Sequence, residues 1–123
     1  FDSARKNFRN EIYSDYKGNR SDAPDDLIPQ FEYIRKSVEA FNIPAVEMIN
    51  YEADDLIATY SKQITKLGSD VTIVSSDKDL MQLVSDNVTM LDPMKNKKIE
   101  TKDVEELESY LDELPDITEI GEA

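Results

Sequence analysis

The 123-residue chain has no cysteine and no histidine, and its only glycines are Gly18, Gly68 and Gly121. Without cysteine there are no disulfides and no thiolate metal sites. Without histidine, a bound metal must rely on oxygen ligands, which favours Mg²⁺ or Mn²⁺ over zinc. Three scattered glycines cannot build a glycine-rich phosphate loop. No apolar run reaches membrane-spanning length and no signal-peptide pattern opens the chain, so the expected setting is cytoplasmic, with no membrane partner. The first residue is Phe1 rather than methionine, which suggests a piece of a longer protein.

Positive charge is also scarce. Fourteen lysines and arginines face 27 acids, a net charge of −13. Taken as a sum this argues against a nucleic-acid partner, but the distribution matters more. From Glu105 onward there are eight acids and no base, which leaves the rest of the chain at only −5. With 39% hydrophobic and 33% charged residues, the composition is that of one globular domain with a single core. It does not indicate an oligomeric state.

Apolar residues at Phe8, Ile12 and Tyr16 predict an amphipathic helix over residues 4–16, closed by Gly18-Asn19. Tyr16-Lys17-Gly18-Asn19-Arg20 sets an aromatic beside two cations. This reads either as a solvated helix end or as a contact to a nucleic-acid backbone. A second helix is expected from about Asp22 to Phe41, with Leu27, Phe31, Ile34, Val38 and Phe41 as its buried stripe and Asn42 as its stop. Pro29 allows a start only near itself. Pro44–Ile49 reads as a short strand. Glu52–Leu67 reads as a helix with Leu56, Ile57, Tyr60, Ile64 and Leu67 on one face and Gly68 at its end. Val71–Val74 reads as a strand buried on both faces, Asp77–Val84 as a short helix and Val88–Leu91 as another strand. A turn at Lys95–Lys98 and a helix from Thr101 to about Leu111 follow. The alternation is that of an α/β domain with a largely parallel sheet.

Two acidic groups punctuate this pattern: Glu52, Asp54 and Asp55 at a helix start, and Asp77 and Asp79 just past a strand. Glu52 and Asp55, three apart, share a helix face, while Asp54 is rotated away. Each group follows an expected strand, so both should fall at the edge of a parallel sheet where sites form. Carboxylates gathered there suit hard divalent cations. The same acids also suit helix capping and the helix dipole, and Asp77 suits an N-cap. Spacing leaves both readings open.

The blocks EIYSDYKGNR, YEADDLIATYSK and TIVSSDKDLMQLVSDNV occur in order. They resemble the 5′→3′ exonuclease, flap-endonuclease-like family found at the front of bacterial DNA polymerase I, over residues 1 to about 104. The resemblance implies a PIN-like, largely parallel α/β sheet with helices on both faces and an arch segment at about residues 4–41. It implies a structure-specific 5′ nuclease that hydrolyses phosphodiesters with two Mg²⁺ or Mn²⁺ ions in DNA replication and repair. The substrate would be DNA with a 5′ flap or nick, beside a polymerase domain in the parent protein. By position, Asp2, Glu52, Asp54, Asp55, Asp77 and Asp79 match the family's metal-holding acids. Arg9, Lys17 and Arg20 match the cations that orient the phosphate, and these three with Tyr16 match the DNA-binding arch. Lys78 reads either as a phosphate contact or as a surface lysine. The family's first strand would precede Phe1, and its glycine-rich DNA-binding motif does not follow Val104; residues 105–123 form an acidic tail unlike the family. The alternative expectation is therefore a catalytically incomplete fragment acting only as a DNA- or protein-binding module.

Overall fold

The computed structural model of the protein describes residues 1–112. They fall into two compact units, the first Phe1–Leu56 and the second beginning at Ile57.

In the first unit, Asn7 starts a helix one residue later, α1 (Phe8–Ile12). Its side chain accepts from the Arg9 N–H, while the Asn10 side chain accepts from the Asn7 N–H, a reciprocal cap. Tyr13 turns extended and its N–H closes on the Arg9 carbonyl, so α1 spans five residues. The expected helix over 4–16 is therefore cut short. The Phe8–Ile12–Tyr16 spacing runs on across turns in which Lys17 takes a left-handed backbone, φ 56°.

Helix α2 (Ile28–Ala40) has Pro29 in its first turn, where a missing N–H costs nothing, so the helix begins near that proline and not at Asp22. At its far end the Ile43 N–H reaches the Val38 carbonyl and the Asn42 N–H the Glu39 carbonyl, with Asn42 at φ 56°. This is the double bond of a Schellman stop. The expected buried stripe is corrected: α2 buries no residue, and Phe31, Ile34 and Phe41 are exposed. Pro44–Ile49 is irregular and not a strand; Pro44 lacks an N–H, and no strand among the described residues pairs with the segment.

Helix α3 (Ala53–Lys66) starts in the first unit and continues into the second. Its end repeats the Schellman pattern, Ser69 N–H to Ile64 and Gly68 N–H to Thr65, with Gly68 at φ 85°. In the second unit, β1 (Val71–Val74) pairs in parallel with β2 (Val88–Asp92), Val71 opposite Val88. A 3-10 helix over Lys78–Leu83 joins them. β2 pairs antiparallel with β3 (Lys97–Ile99), Met90 opposite Ile99. Helix α4 (Thr101–Asp112) follows and runs without a break through residues 104 and 105; the rest of the acidic tail lies outside the described residues. The β1 expectation is corrected too: Ile73 is buried, but Thr72 and Val74 on the other face are exposed.

Ile73, Leu80, Val88, Met90 and Ile99 make the core, with Ile57, Met81 and Val104 against it. All of these lie in the second unit. In the first, the buried residues are Asn7 and Glu52, both polar. No described helix is long and apolar enough to cross a membrane.

Met90 is fully buried at the centre of the sheet. Met90→Ala should lower unfolding stability in urea by about 2–5 kcal/mol, whereas Phe31→Ala on the open face of α2 should stay within about 0.5 kcal/mol.

Candidate functional site

The local order of α1 places Arg9. Capped by Asn7 and tied by the Phe8 N–H to the Asn50 carbonyl, this short helix points Arg9 at the start of α3. Arg9 Nη1 donates to Glu52 Oε2 at 2.8 Å and to Asp55 Oδ2 at 2.9 Å, and Nη2 donates to Asp55 Oδ1 at 2.6 Å. Lys17 Nζ binds the other Glu52 oxygen, Oε1. The Tyr16 hydroxyl donates to Glu52 Oε2 at 3.2 Å. The Arg9 guanidinium also lies 4.5 Å from the Phe8 ring centre and 5.9 Å from that of Tyr16, and the Lys17 ammonium 5.3 Å from Tyr16. Such faces add cation–π attraction.

The acids also serve the backbone. Asp55 Oδ2 accepts from the Glu52 N–H, and Asp2 Oδ1 accepts from the Ala53 N–H at 2.6 Å, so both satisfy donors at the N-terminus of α3. Arg35 braces Asp2 by donating to its carbonyl while pairing with Glu47. Asp54 stands exposed in the first turn of α3 beside Asp55. Arg20 is exposed, and its charge opposes that of Lys17.

Protonation follows the partners. The Arg9 hydrogen bonds hold the Asp55 carboxyl below its ordinary 3.8. The Asp55 carboxylate raises Arg9 further above its usual range, and the Glu52 carboxylate raises Lys17 above 10.5.

The second acidic group lies in the second unit. Asp77 caps the 3-10 helix, its carboxylate accepting from the Asp79 N–H at 3.0 Å, and its own N–H donates to Ser75 Oγ. Asp77, Lys78 and Asp79 are all exposed. Asp77 and Lys78 line an open cavity of about 290 Å³ with Ser76, Met90 and Asp92. The cavity sits beyond the carboxyl ends of the parallel strands β1 and β2, where such sheets place their sites. The first group differs here: residues 44–49 form no strand, so Glu52, Asp54 and Asp55 follow an irregular segment. Within neither unit do three or more described acidic side chains come together as a metal cluster.

Asp92 was not anticipated. It is buried at the end of β2 and accepts from the Ser76 hydroxyl and from the Met94 and Lys95 N–H groups. The Ser76 bond, then the two amides, lower its pKa. The signal in the sequence was the Asp92-Pro93 turn pair closing an apolar strand. Asn7 and Asn10, which place Arg9, were also missed; they are capping residues without periodicity.

The family model described as the 5′-3′ exonuclease N-terminal resolvase-like domain matches residues 1–109. The chain belongs to this 5′-3′ exonuclease family. It is 58% identical over 104 residues to a DNA polymerase I of Rhizobium leguminosarum, covering 85% of this chain and 10% of that one. It is 39% identical over 106 residues to a 5′-3′ exonuclease of Buchnera aphidicola, covering 86% and 37%. The chain thus spans between a tenth and about two fifths of the length of these relatives. Among solved structures it is similar to the bacteriophage T5 D15 protein co-crystallised with metal ions. The TM-score is 0.69 at 25% identity, covering 85% of this chain and 43% of that one. The exonuclease-family chain therefore has the PIN-like α/β fold expected of it.

Its donor set fits a hard cation in part. Glu52 Oε2 and Asp55 Oδ2 already converge on one cationic atom, Arg9 Nη1. Convergence of carboxylate oxygens on a positive centre is what a divalent ion requires.

Two outcomes follow. Arg9→Ala leaves two neighbouring carboxylates without their shared cation, so hydrogen exchange should speed up across residues 1–56 by the equivalent of about 3 kcal/mol while the Met90 core keeps its protection. Because the folded Asp55 value lies below 3.8, its contribution is present above that pH and is lost as pH falls through the lower folded value. The Lys17 contribution persists to above pH 10.5 before it is lost. Acid titration followed by the Tyr16 environment should show a transition below pH 3.8 in the wild-type chain that Asp55→Asn removes.

Proposed function

We propose that this chain carries the nucleolytic part of a 5′→3′ exonuclease and structure-specific flap endonuclease, hydrolysing phosphodiesters at a 5′ flap or nick in DNA. The observation that supports it most is the knot at the start of α3, where Glu52 and Asp55 converge on cations in a chain whose family is that of 5′-3′ exonucleases. Mg²⁺ or Mn²⁺, when bound, supplies charge neutralisation at phosphate and activation of water. The chain's own contribution is oxygen donors from Asp2, Glu52, Asp54, Asp55, Asp77 and Asp79. Arg9, Lys17 and Arg20 would orient and neutralise the phosphate as bidentate or point-charge partners. Tyr16 would face a nearby base, and Lys78 an adjoining phosphate. Residues 4–41, with α1 and α2, would form the arch around the strand. In a parent protein like the polymerase I relatives, the work would be strand processing in replication and repair beside a polymerase domain.

The test is cleavage of a 5′-end-labelled flap duplex by the 123-residue chain with Mg²⁺ or Mn²⁺. Metal-dependent release of short 5′ products is expected, and Asp77→Ala should slow it by about a hundredfold or more, the loss of several kcal/mol of charge stabilisation. Absence of products with both metals, or products unaffected by a chelator, would sink the proposal.

A further inference from the structure

We infer that Arg9 and Lys17 are resident counter-ions of the Glu52–Asp55 pair, and that a divalent cation takes their place and releases both side chains toward the phosphates of a nucleic-acid strand. The inference rests on the metal-dependent reading above and adds to it an exchange of partners within residues 1–56.

The geometry carries it. All four carboxylate oxygens of the two acids are engaged. Glu52 Oε1 holds Lys17, and Glu52 Oε2 holds Arg9 and Tyr16. Asp55 Oδ1 holds Arg9 Nη2, and Asp55 Oδ2 holds Arg9 Nη1 and the Glu52 N–H. An entering ion finds no carboxylate oxygen of this pair without a donor already on it. Nor could it settle beside the present partners, because it would bring two positive charges next to two others at contact range in a partly desolvated spot. Binding at these acids therefore competes with retention of both cations.

Exit is feasible. The acid side chains are only 10% and 21% exposed, whereas Arg9 and Lys17 are 30% and 27% exposed. The cations thus sit on the solvent side on long flexible stems. Once displaced they are charged, unpaired and close to the acids, and a polyanion offers them new acceptors in bidentate geometry. Metal and strand then strengthen one another by the same factor, because each relieves the cost the other meets.

The readout is metal affinity, measured without DNA. Free Mn²⁺ is followed by electron paramagnetic resonance during titration of the wild-type chain, Lys17→Met, Arg9→Met and Lys36→Met. Lys36 pairs with Glu32 on α2, so its variant removes the same charge away from the acids. Lys17→Met and Arg9→Met should each bind Mn²⁺ about tenfold more tightly than wild type, the change expected when the resident pair leaves about a tenth of molecules competent. Lys36→Met should match wild type. Wild-type binding with no tightening in either variant, or equal tightening in Lys36→Met, overturns the exchange alone. No Mn²⁺ bound by any of the four removes the metal-dependent reading and the exchange with it. Since Arg9→Met also removes the tie between α1 and the two acids, the wild-type chain gives a second measurement. The Arg9 guanidinium and Lys17 ammonium protons, followed by nitrogen-edited NMR, should be protected from exchange without metal and lose that protection at saturating Mg²⁺. Protection retained at saturation overturns the proposal.

Discussion

The guanidinium of Arg9 binds carboxylates 43 and 46 residues further along the chain, and the first unit depends on that long-range clamp. A five-residue helix has too few internal bonds to persist alone, and α1 persists because its caps and its arginine are both engaged. The residues around it bury no hydrophobic side chain; what they bury is Asn7 and Glu52. Order here comes from charge-assisted hydrogen bonds, whose strength depends on every partner being present. The second unit has the opposite constitution, with an apolar core around Met90 and Ser61 and Asp92 as the buried polar residues among those described.

That difference explains what could be read in advance. β1, β2, the 3-10 segment and the stops at Asn42 and Gly68 were legible because their causes are local: β-branched runs, a capping aspartate, residues that tolerate positive φ. The second unit is built almost wholly from such signals. The first was read less well. Phe8, Ile12 and Tyr16 keep helical spacing, yet Tyr13 turns extended between them. The stripe on α2 has the right period, yet none of its residues is buried. Pro44–Ile49 has strand-like composition, but a strand exists only through its neighbour.

The candidate site divides along the same line. Spacing alone put Glu52 and Asp55 on one helix face; Glu52 instead stands just before α3 and Asp55 in its first turn, and both reach Arg9. It left capping and a metal site as alternatives; Asp55 caps α3 with the same oxygen that accepts from Arg9. Asp77 likewise takes a capping role at the mouth of a cavity. Family resemblance selected Arg9, Tyr16 and Lys17 as phosphate and base contacts. In the chain by itself these three groups sit on Glu52. No periodicity could have shown that, because the pairing joins residues 35 to 43 positions apart.

Arg9, Lys17, Glu52 and Asp55 together carry two positive and two negative charges, so at rest this patch exerts almost no long-range field. In a chain of net charge −13, a neutral patch gives a polyanion no reason to approach. A divalent ion held by the two acids would turn the same spot electropositive without moving any backbone, and its attraction would reach about a Debye length into solution. The patch would then pass from neutral to positive on loading, so a nucleic-acid strand would be drawn to it only when the ion is in place.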